Sequence, residues 1–324
     1  MKKFFAGLLV FLLIAAVAGY FLYPTVSDQL AQRRDAEIMR DYRKKAAAMD
    51  AEKKTELFTG AGEYNAALET IHVDDVFSGA PPRTTRDYQN RLNVHSGVIA
   101  ELVIPKIRVS LPVYHQSTET PATQKLVHVD GSSLPADGAG EDIVLAGPGV
   151  LQAQGVLGSI GLKDDRMLED LDRVIPGDYL ILDVIDRTFV YQVKEVQMLS
   201  SAGLKELDLT PQEGEKRLTL VTRRNDRRLL VQAEQIPISE ARTLLAEEDK
   251  VTFPENWLNI LLMGSPVILV GLLILWIFEK IKGRSYRIPG EGRQSARQKK
   301  KAKEQIQEQI EQIPTETVEG EEKK

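Results

Sequence analysis

Two long apolar segments without a charged residue constrain the fold of this chain more than any other feature. The first runs from Phe4 to Tyr23 and the second from Trp257 to Phe278. A helix of about 20 apolar residues is long enough to cross the hydrocarbon core of a bilayer. We therefore expect two membrane spans. A cleaved signal peptide is the alternative for the first segment, because Ala16-Val17-Ala18 provides the small residues of a cleavage site.

Basic residues close to these segments predict the orientation of the chain. Lys2 and Lys3 precede the first segment, and residues 280–303 carry ten lysines and arginines against one acid, Glu291. Such positively charged flanks stay in the cytoplasm. We therefore expect a multi-pass protein of the cell membrane with both termini in the cytoplasm and residues 24–256 outside. The basic stretch either binds anionic membrane lipid or serves only as a topology signal.

Composition excludes several classes of function. The 324 residues include no cysteine, which rules out disulfides, thiolate metal sites and a cysteine nucleophile. The formal net charge of −5 argues against a general nucleic-acid binder. The acidic loop Asp137–Asp142 lacks the ligand spacing of an EF-hand, so we expect a solvated turn there. We expect neither a metal nor a cofactor.

Between the two segments the pattern changes from helical to β. Ser27-Asp28 is a capping signal, and the alanine-rich stretch from there to about Leu68 predicts one or two helices broken only near Gly60 and Gly62. A turn-rich linker, Ser78–Pro82, precedes the β region. Seven short runs of aliphatic, aromatic and threonine residues then predict strands: 98–104, 111–114, 143–146, 179–185, 188–196, 218–222 and 229–233.

These patterns predict a mainly β fold, a closed or nearly closed β-barrel with short inserted helices, an N-terminal helical and lid region and two transmembrane helices. The expected segments are a cytoplasmic N-terminus (1–3), a transmembrane helix (4–23), an extracellular helical and lid region (24–82), the β-barrel (83–240), a juxtamembrane segment (241–256), a second transmembrane helix (257–278) and a cytoplasmic basic then acidic tail (279–324).

An ordered set of short motifs gives the β region a family resemblance. The motifs are Ile104-Pro105-Lys106-Ile107, Leu111-Pro112-Val113-Tyr114-His115, His128-Val129-Asp130-Gly131-Ser132-Ser133-Leu134-Pro135, Leu168-Glu169-Asp170-Leu171-Asp172 with Pro176-Gly177-Asp178, Thr219-Leu220-Val221-Thr222 and Arg228-Leu229-Leu230-Val231. In order and spacing, from about Tyr64 to Val231, they resemble the class C sortases, the pilin-polymerising branch of the membrane-anchored cysteine transpeptidases. The resemblance implies a sortase-like barrel and a role at the cell wall.

The same resemblance implies that the catalytic set is incomplete. Sortases use a cysteine nucleophile, a histidine that handles the proton and an arginine that stabilises the oxyanion. The cysteine position directly follows the Thr-Leu-x-Thr strand and holds Arg223, whose guanidinium is a permanent cation without a nucleophilic lone pair. The histidine position holds Pro148, which cannot titrate. Arg228 occupies the arginine position, either as a retained ligand contact or as an ordinary surface cation.

Two further features follow from the resemblance. Arg223, Arg224, Arg227 and Arg228 form a dense cationic cluster, which either binds a peptide or anion such as a carboxylate or phosphate, or is an exposed hairpin. Class C sortases also carry a lid that plugs the active site.

Asp74, Asp75 and Phe77 are similar to that lid. Asp75 would plug the groove by pairing with Arg223 or Arg228, and an acidic loop without a role is the alternative.

The sequence therefore predicts a membrane-anchored pseudoenzyme of the sortase fold. It would bind a sorting-signal peptide, a pilin or a true sortase in surface-protein or pilus assembly. A structural or regulatory membrane scaffold without a substrate groove is the first alternative. A hydrolase with a relocated nucleophile at Ser132, Ser133 or Thr222 is the second, although no base for these hydroxyls is evident.

Overall fold

The computed structural model describes residues 2–68, 75–78, 85–153, 155–206, 210, 213–240 and 291–311. The predicted second span at 257–278, the juxtamembrane segment at 241–256 and the lid residue Asp74 lie outside the described residues. The chain divides into two compact units, Val17–Met263 and a second unit formed by Met1–Ala16 with Gly264–Lys324.

The N-terminal helix α1, Lys2–Ala48, contains the whole first apolar segment. Among the described residues it is the one helix that is long and apolar enough to cross a membrane, and a signal sequence would share that property. The helix does not begin at Ser27-Asp28, so that capping prediction was wrong. The physical reason is tertiary packing, because Ala31, Met39 and Tyr42 lie buried on one face of the continuing helix.

The break between the first two helices comes instead at Asp50. Its Oδ1 accepts a hydrogen bond from the backbone nitrogen of Lys53 at 2.7 Å and so caps helix α2, Ala51–Ala66. Gly60 and Gly62, the predicted breaks, lie inside α2. Short helices follow at Arg86–Asn90 (α3), Gly155–Ser159 (α4) and Ser201–Lys205 (α5), and the second unit contains α6, Glu291–Glu311.

The described residues after α3 form ten strands, and eight of these form a closed barrel in the order β1-β2-β3-β4-β9-β10-β8-β7. All seven predicted strands are present, and the prediction of a closed barrel is confirmed. Strands β5 and β6 pair with each other outside the barrel. The strands are β1 Val98–Ile104, β2 Val109–His115, β3 Val127–His128, β4 Glu141–Pro148, β5 Leu151–Gln152, β6 Lys163–Asp165, β7 Tyr179–Val184, β8 Arg187–Ser200, β9 Lys216–Arg224 and β10 Arg227–Ile236.

Two apolar layers stabilise this architecture. One fills the barrel, where side chains such as Leu102, Phe189 and Leu220 point inward. The other lies on the outer face and includes Met39 of α1 and Phe77. Alternate residues of β4, β9 and β10 supply the two layers, because successive side chains of a strand point to opposite faces. Ile181 of β7 and Val190 of β8 pack in a separate outer cluster.

Candidate functional site

The three positions singled out from the sequence lie side by side at one end of the barrel. Pro148 of β4 is paired with Arg223 of the parallel strand β9, and Arg223 is paired with Arg228 of the antiparallel strand β10. Val221 and Leu230 each lie two residues from one of these arginines along the same strand, so they point to the same face of the sheet. Both belong to the outer apolar layer. The row formed by Pro148, Arg223 and Arg228 therefore lies on the outer surface and not inside the barrel.

Residues 75–78 cover Arg228, and we call them the lid. Asp75 receives two hydrogen bonds from this guanidinium, from Nε to Oδ1 at 2.9 Å and from Nη2 to Oδ2 at 2.7 Å. Ser201 also donates its hydroxyl proton to Asp75. The ring of Phe77 lies 5.4 Å from the Arg228 guanidinium carbon and packs in the outer apolar layer. The lid is thus held by a two-pronged ion pair and an aromatic side chain.

Both partners of this ion pair are buried. Asp75 is 4% exposed and Arg228 is 7% exposed. Burial alone would raise the pKa of the Asp75 carboxyl, but the hydrogen bonds from Arg228 and Ser201 outweigh it and hold that pKa below its usual value. The carboxylate is therefore ionised at neutral pH, as the pairing requires.

The four arginines of the cationic cluster do not act as one group. Arg228 is bound to Asp75, and Arg224 lies 3.0 Å from a carboxylate oxygen of Asp172 and also donates to the backbone oxygen of Glu169. Arg223 and Arg227 are exposed and make no ion pair with any described residue. These two cations alone of the four are open to an external anion in this part of the chain.

A cleft of about 310 Å³ adjoins Arg223. Phe77 and Pro148 line it, together with Lys163 and Glu169, which form an ion pair with each other. Pro148 lies at the end of β4. The glycine before it packs closely against the neighbouring backbone, because a Cβ on Gly147 would lie only 3.2 Å from the Cα of Leu126. Arg223 is the lining cation without an acidic partner among the described residues.

The histidines of the barrel are buried structural groups. His128 lies with its Nε2 2.9 Å from the backbone oxygen of Ser133 and its Nδ1 3.0 Å from the hydroxyl of Tyr88. Burial lowers the pKa of His128 to about 3 and that of His115 to about 4. Both rings are therefore neutral at pH 7.

One serine does approach a histidine, but solvent does not reach it. The hydroxyl of Ser132 lies 3.2 Å from Nε2 of His128 and donates to the backbone oxygen of Val129. Ser132 and His128 are both fully buried. A nucleophile must meet its substrate, so this geometry gives no support to a hydrolase at Ser132.

A clamp between α2 and the barrel was missed by sequence reasoning. The hydroxyl of Tyr64 donates to Asp130 Oδ1 at 2.9 Å and accepts from the backbone nitrogen of Gly131 at 2.9 Å. Asn65 forms a two-way pair with the backbone of Leu134, at 2.8 and 2.7 Å. The sequence signal was the adjacent Tyr-Asn pair, but nothing local shows which loop these side chains contact.

The acidic loop Asp137–Asp142 uses its acids internally. Glu141 accepts hydrogen bonds from the backbone nitrogens of Ala136 and Gly138, at 3.0 and 2.6 Å, and Lys216 lies 2.6 Å from Asp137. Within the described ranges no group of three acidic or histidine side chains is placed to hold a metal ion.

Comparisons with known proteins agree with this geometry. Residues 102–236 match the family model of the Sortase domain. Sortase C of Streptococcus pneumoniae is similar in structure, with a TM-score of 0.52 and 26% identity over 62% of this chain and 97% of that chain. Sortase C1 of Streptococcus agalactiae has a TM-score of 0.50 and 28% identity over 62% of this chain and 98% of that chain. A comparison with curated proteins finds no match.

Residues 102–236 therefore match a sortase domain, and the barrel is similar in structure to those of sortase C proteins. A chain without cysteine has no thiol to act as the nucleophile of such a domain.

Proposed function

We propose that this protein is a pseudoenzyme that binds sorting-signal peptides, or assists a true sortase, in surface-protein or pilus assembly. The single observation that carries the proposal is the row formed by Pro148, Arg223 and Arg228. The barrel keeps these positions in register beside a cleft, while a proline and an arginine replace the groups that would transfer a proton and attack a carbonyl.

The lid adds a second line of support. The chain retains a buried, charge-paired lid over Arg228, although there is no thiolate for the lid to protect. In a protein whose groove catalyses no reaction, a lid is expected if it controls when a ligand occupies the groove. Arg223 and Arg227, which pair with no acid among the described residues, then supply cationic contacts for a carboxylate of the bound peptide or partner.

The Streptococcus pneumoniae relative makes the class of ligand specific. Its structure is described in terms of pilin substrate specificity. By analogy, the groove here takes a pilin or another substrate of sortases. The proposal includes anchoring in the cell membrane with the barrel outside, as the two apolar segments and their basic flanks suggest.

The test is a titration of the full chain in detergent with a fluorescent sorting-signal peptide. Three variants are compared with the wild type: Asp75→Asn opens the lid, Arg223→Gln removes the cation of the cleft, and Arg40→Gln, exposed on α1, is the matched control. We expect Asp75→Asn to bind the peptide more tightly than the wild type and Arg223→Gln to bind it at least fivefold more weakly than Arg40→Gln does.

Each rival function predicts a different result. A membrane scaffold without a groove shows no saturable binding, even with the lid opened by Asp75→Asn. A transpeptidase or hydrolase releases a cleaved or transferred product that mass spectrometry detects, and a hydrolase is also labelled by a serine-directed probe. Any of these results would overturn the proposal of a peptide-binding pseudoenzyme.

A further inference from the structure

A small element beside the barrel carries exposed aliphatic side chains. Strands β5 and β6 pair outside the barrel, and α4 lies between them in the chain; we call residues 151–153 and 155–165 the ribbon. Leu157 is 41% exposed and Ile160 is 52% exposed, three residues apart in the turn of the ribbon. A single exposed aliphatic residue is ordinary on a soluble surface, whereas two at one short turn raise the question of an apolar partner.

The position of the ribbon along α1 identifies that partner. The backbone nitrogen of Arg166, directly after β6, donates to Asp28 Oδ1 at 3.2 Å. Asp28 lies five residues beyond Tyr23, the end of the apolar segment, in the same continuous helix. At 1.5 Å per residue this is a rise of about 7 Å. Because helical side chains tilt toward the N-terminus, the contact lies on the membrane side of Asp28.

The depth of that contact corresponds to the lipid headgroups. The headgroup region adds about 5–7 Å to each side of the hydrocarbon core. The base of the ribbon is therefore held within the headgroup region or at its outer edge, in any chain whose α1 spans the bilayer.

We propose that the ribbon is a membrane-contacting element, with Leu157 and Ile160 inserted among the lipids beside α1. The partner is the boundary between headgroups and acyl chains, not a particular anionic headgroup. The charges support this choice, because Lys163 and Arg166 at the base of the ribbon both pair with Glu169. Asp165 is flanked by the acids Asp28 and Asp35 and by the cations Arg34 and Lys125, so the charges there are mixed and do not select an anionic lipid.

This contact also affects the cleft. Gln152 and Lys163 of the ribbon line the cleft beside Arg223. Insertion of the turn would hold one wall of the cleft against the bilayer. The inference depends on α1 as an anchor and not on what the cleft binds, so it survives if the proposed peptide binding fails.

Single-cysteine labelling tests the proposal, because the chain has no native cysteine. The full chain is reconstituted in phosphatidylcholine vesicles as Leu157→Cys or Ile160→Cys, each labelled with an environment-sensitive fluorophore. Two exposed positions of α1 calibrate depth: Val26→Cys lies just beyond the apolar segment, and Ala47→Cys lies 24 residues from Tyr23, or about 36 Å. Quenching by nitroxide-labelled lipid is measured for all four.

We expect labels at Leu157 and Ile160 to emit at shorter wavelength and to be quenched at least threefold more than the label at Ala47, and to approach the label at Val26. Addition of phosphatidylglycerol should leave this quenching unchanged. Quenching no greater than at Ala47 would overturn the proposal. So would quenching that appears only with anionic lipid.

Discussion

The ion pair between Asp75 and Arg228 should control whether the lid is closed. In Asp75→Asn, the lid loses its negative charge, and the Arg228 guanidinium is left buried without a carboxylate partner. The asparagine is almost the same size as the aspartate and retains one acceptor oxygen. The variant therefore tests the charge, with the shape of the lid preserved.

The structure sets the expected magnitude. The two hydrogen bonds, at 2.9 and 2.7 Å, join side chains that are 3% and 8% exposed. Removal of one partner from a buried ion pair costs about 3–5 kcal/mol when the other charge stays buried. Here the lid can undock and let Arg228 reach water, which limits the loss. We expect about 2–3 kcal/mol, which raises the open fraction of the lid about 30- to 150-fold.

Hydrogen exchange measures this opening directly. The backbone nitrogens of Phe77 and Ser78 donate to Asp75 within the lid, at 3.2 and 2.9 Å, so their amide protons report whether the turn of the lid is ordered. We expect this turn to lose its order, and the two amides their protection, when the lid undocks. Asp172→Asn is the matched control, since it breaks the more exposed pair with Arg224. If the protection of these two amides changes by less than threefold in Asp75→Asn, the reasoning about the lid is wrong.

Three further predictions concern the stability of the barrel. Burial keeps His115 and His128 neutral in the folded state, with pKa values of about 4 and 3, whereas the same side chains become protonated below about pH 6.5 in the unfolded chain. The free energy of unfolding should therefore fall by about 2 kcal/mol per histidine between pH 7 and 4.5. Urea titrations at both pH values measure this loss. Burial, and to a smaller extent repulsion from nearby acids, raises the pKa of Asp165 to about 6, so the stability that this carboxyl contributes is lost as pH rises from about 4 to 6. After a discount for its partial exposure, Asp165→Asn should stabilise the protein at pH 7.5 by about 1–2 kcal/mol. An unchanged urea midpoint would contradict this prediction. Tyr42→Phe removes a hydroxyl that donates to the Ile99 oxygen at 2.8 Å and accepts from the Ile185 nitrogen at 2.9 Å, and a loss of about 1–3 kcal/mol should appear in the same titration.

The sequence predicted the long strands but not the very short ones. Runs such as Val98–Ile104 have enough alternating or aliphatic residues to be recognised alone. The two- and three-residue strands β3, β5 and β6 were missed, because pairing with neighbours defines them and no local pattern does. The ribbon was therefore not foreseen, although its turn carries the exposed aliphatic pair.

The positions of the candidate site were readable, but the partners of its side chains were not. Motif order indicated Pro148, Arg223 and Arg228, and the register of three strands places them in one row. The sequence left open whether Asp75 would face Arg223 or Arg228, since 153 residues separate Asp75 from Arg228 along the chain. Arg224 looked equivalent to its neighbours, and only the fold shows it bound to Asp172.

By itself the sequence determined the absence of a thiol nucleophile, the apolar segments, the long strands and the family of the barrel. These properties depend on residue identity and local pattern, which hold in any conformation. Tertiary structure alone decided which arginines are paired, where α1 continues and which element contacts Asp28 of α1. Those properties depend on distances between side chains far apart in the chain, and distances of this kind exist only once the barrel has closed.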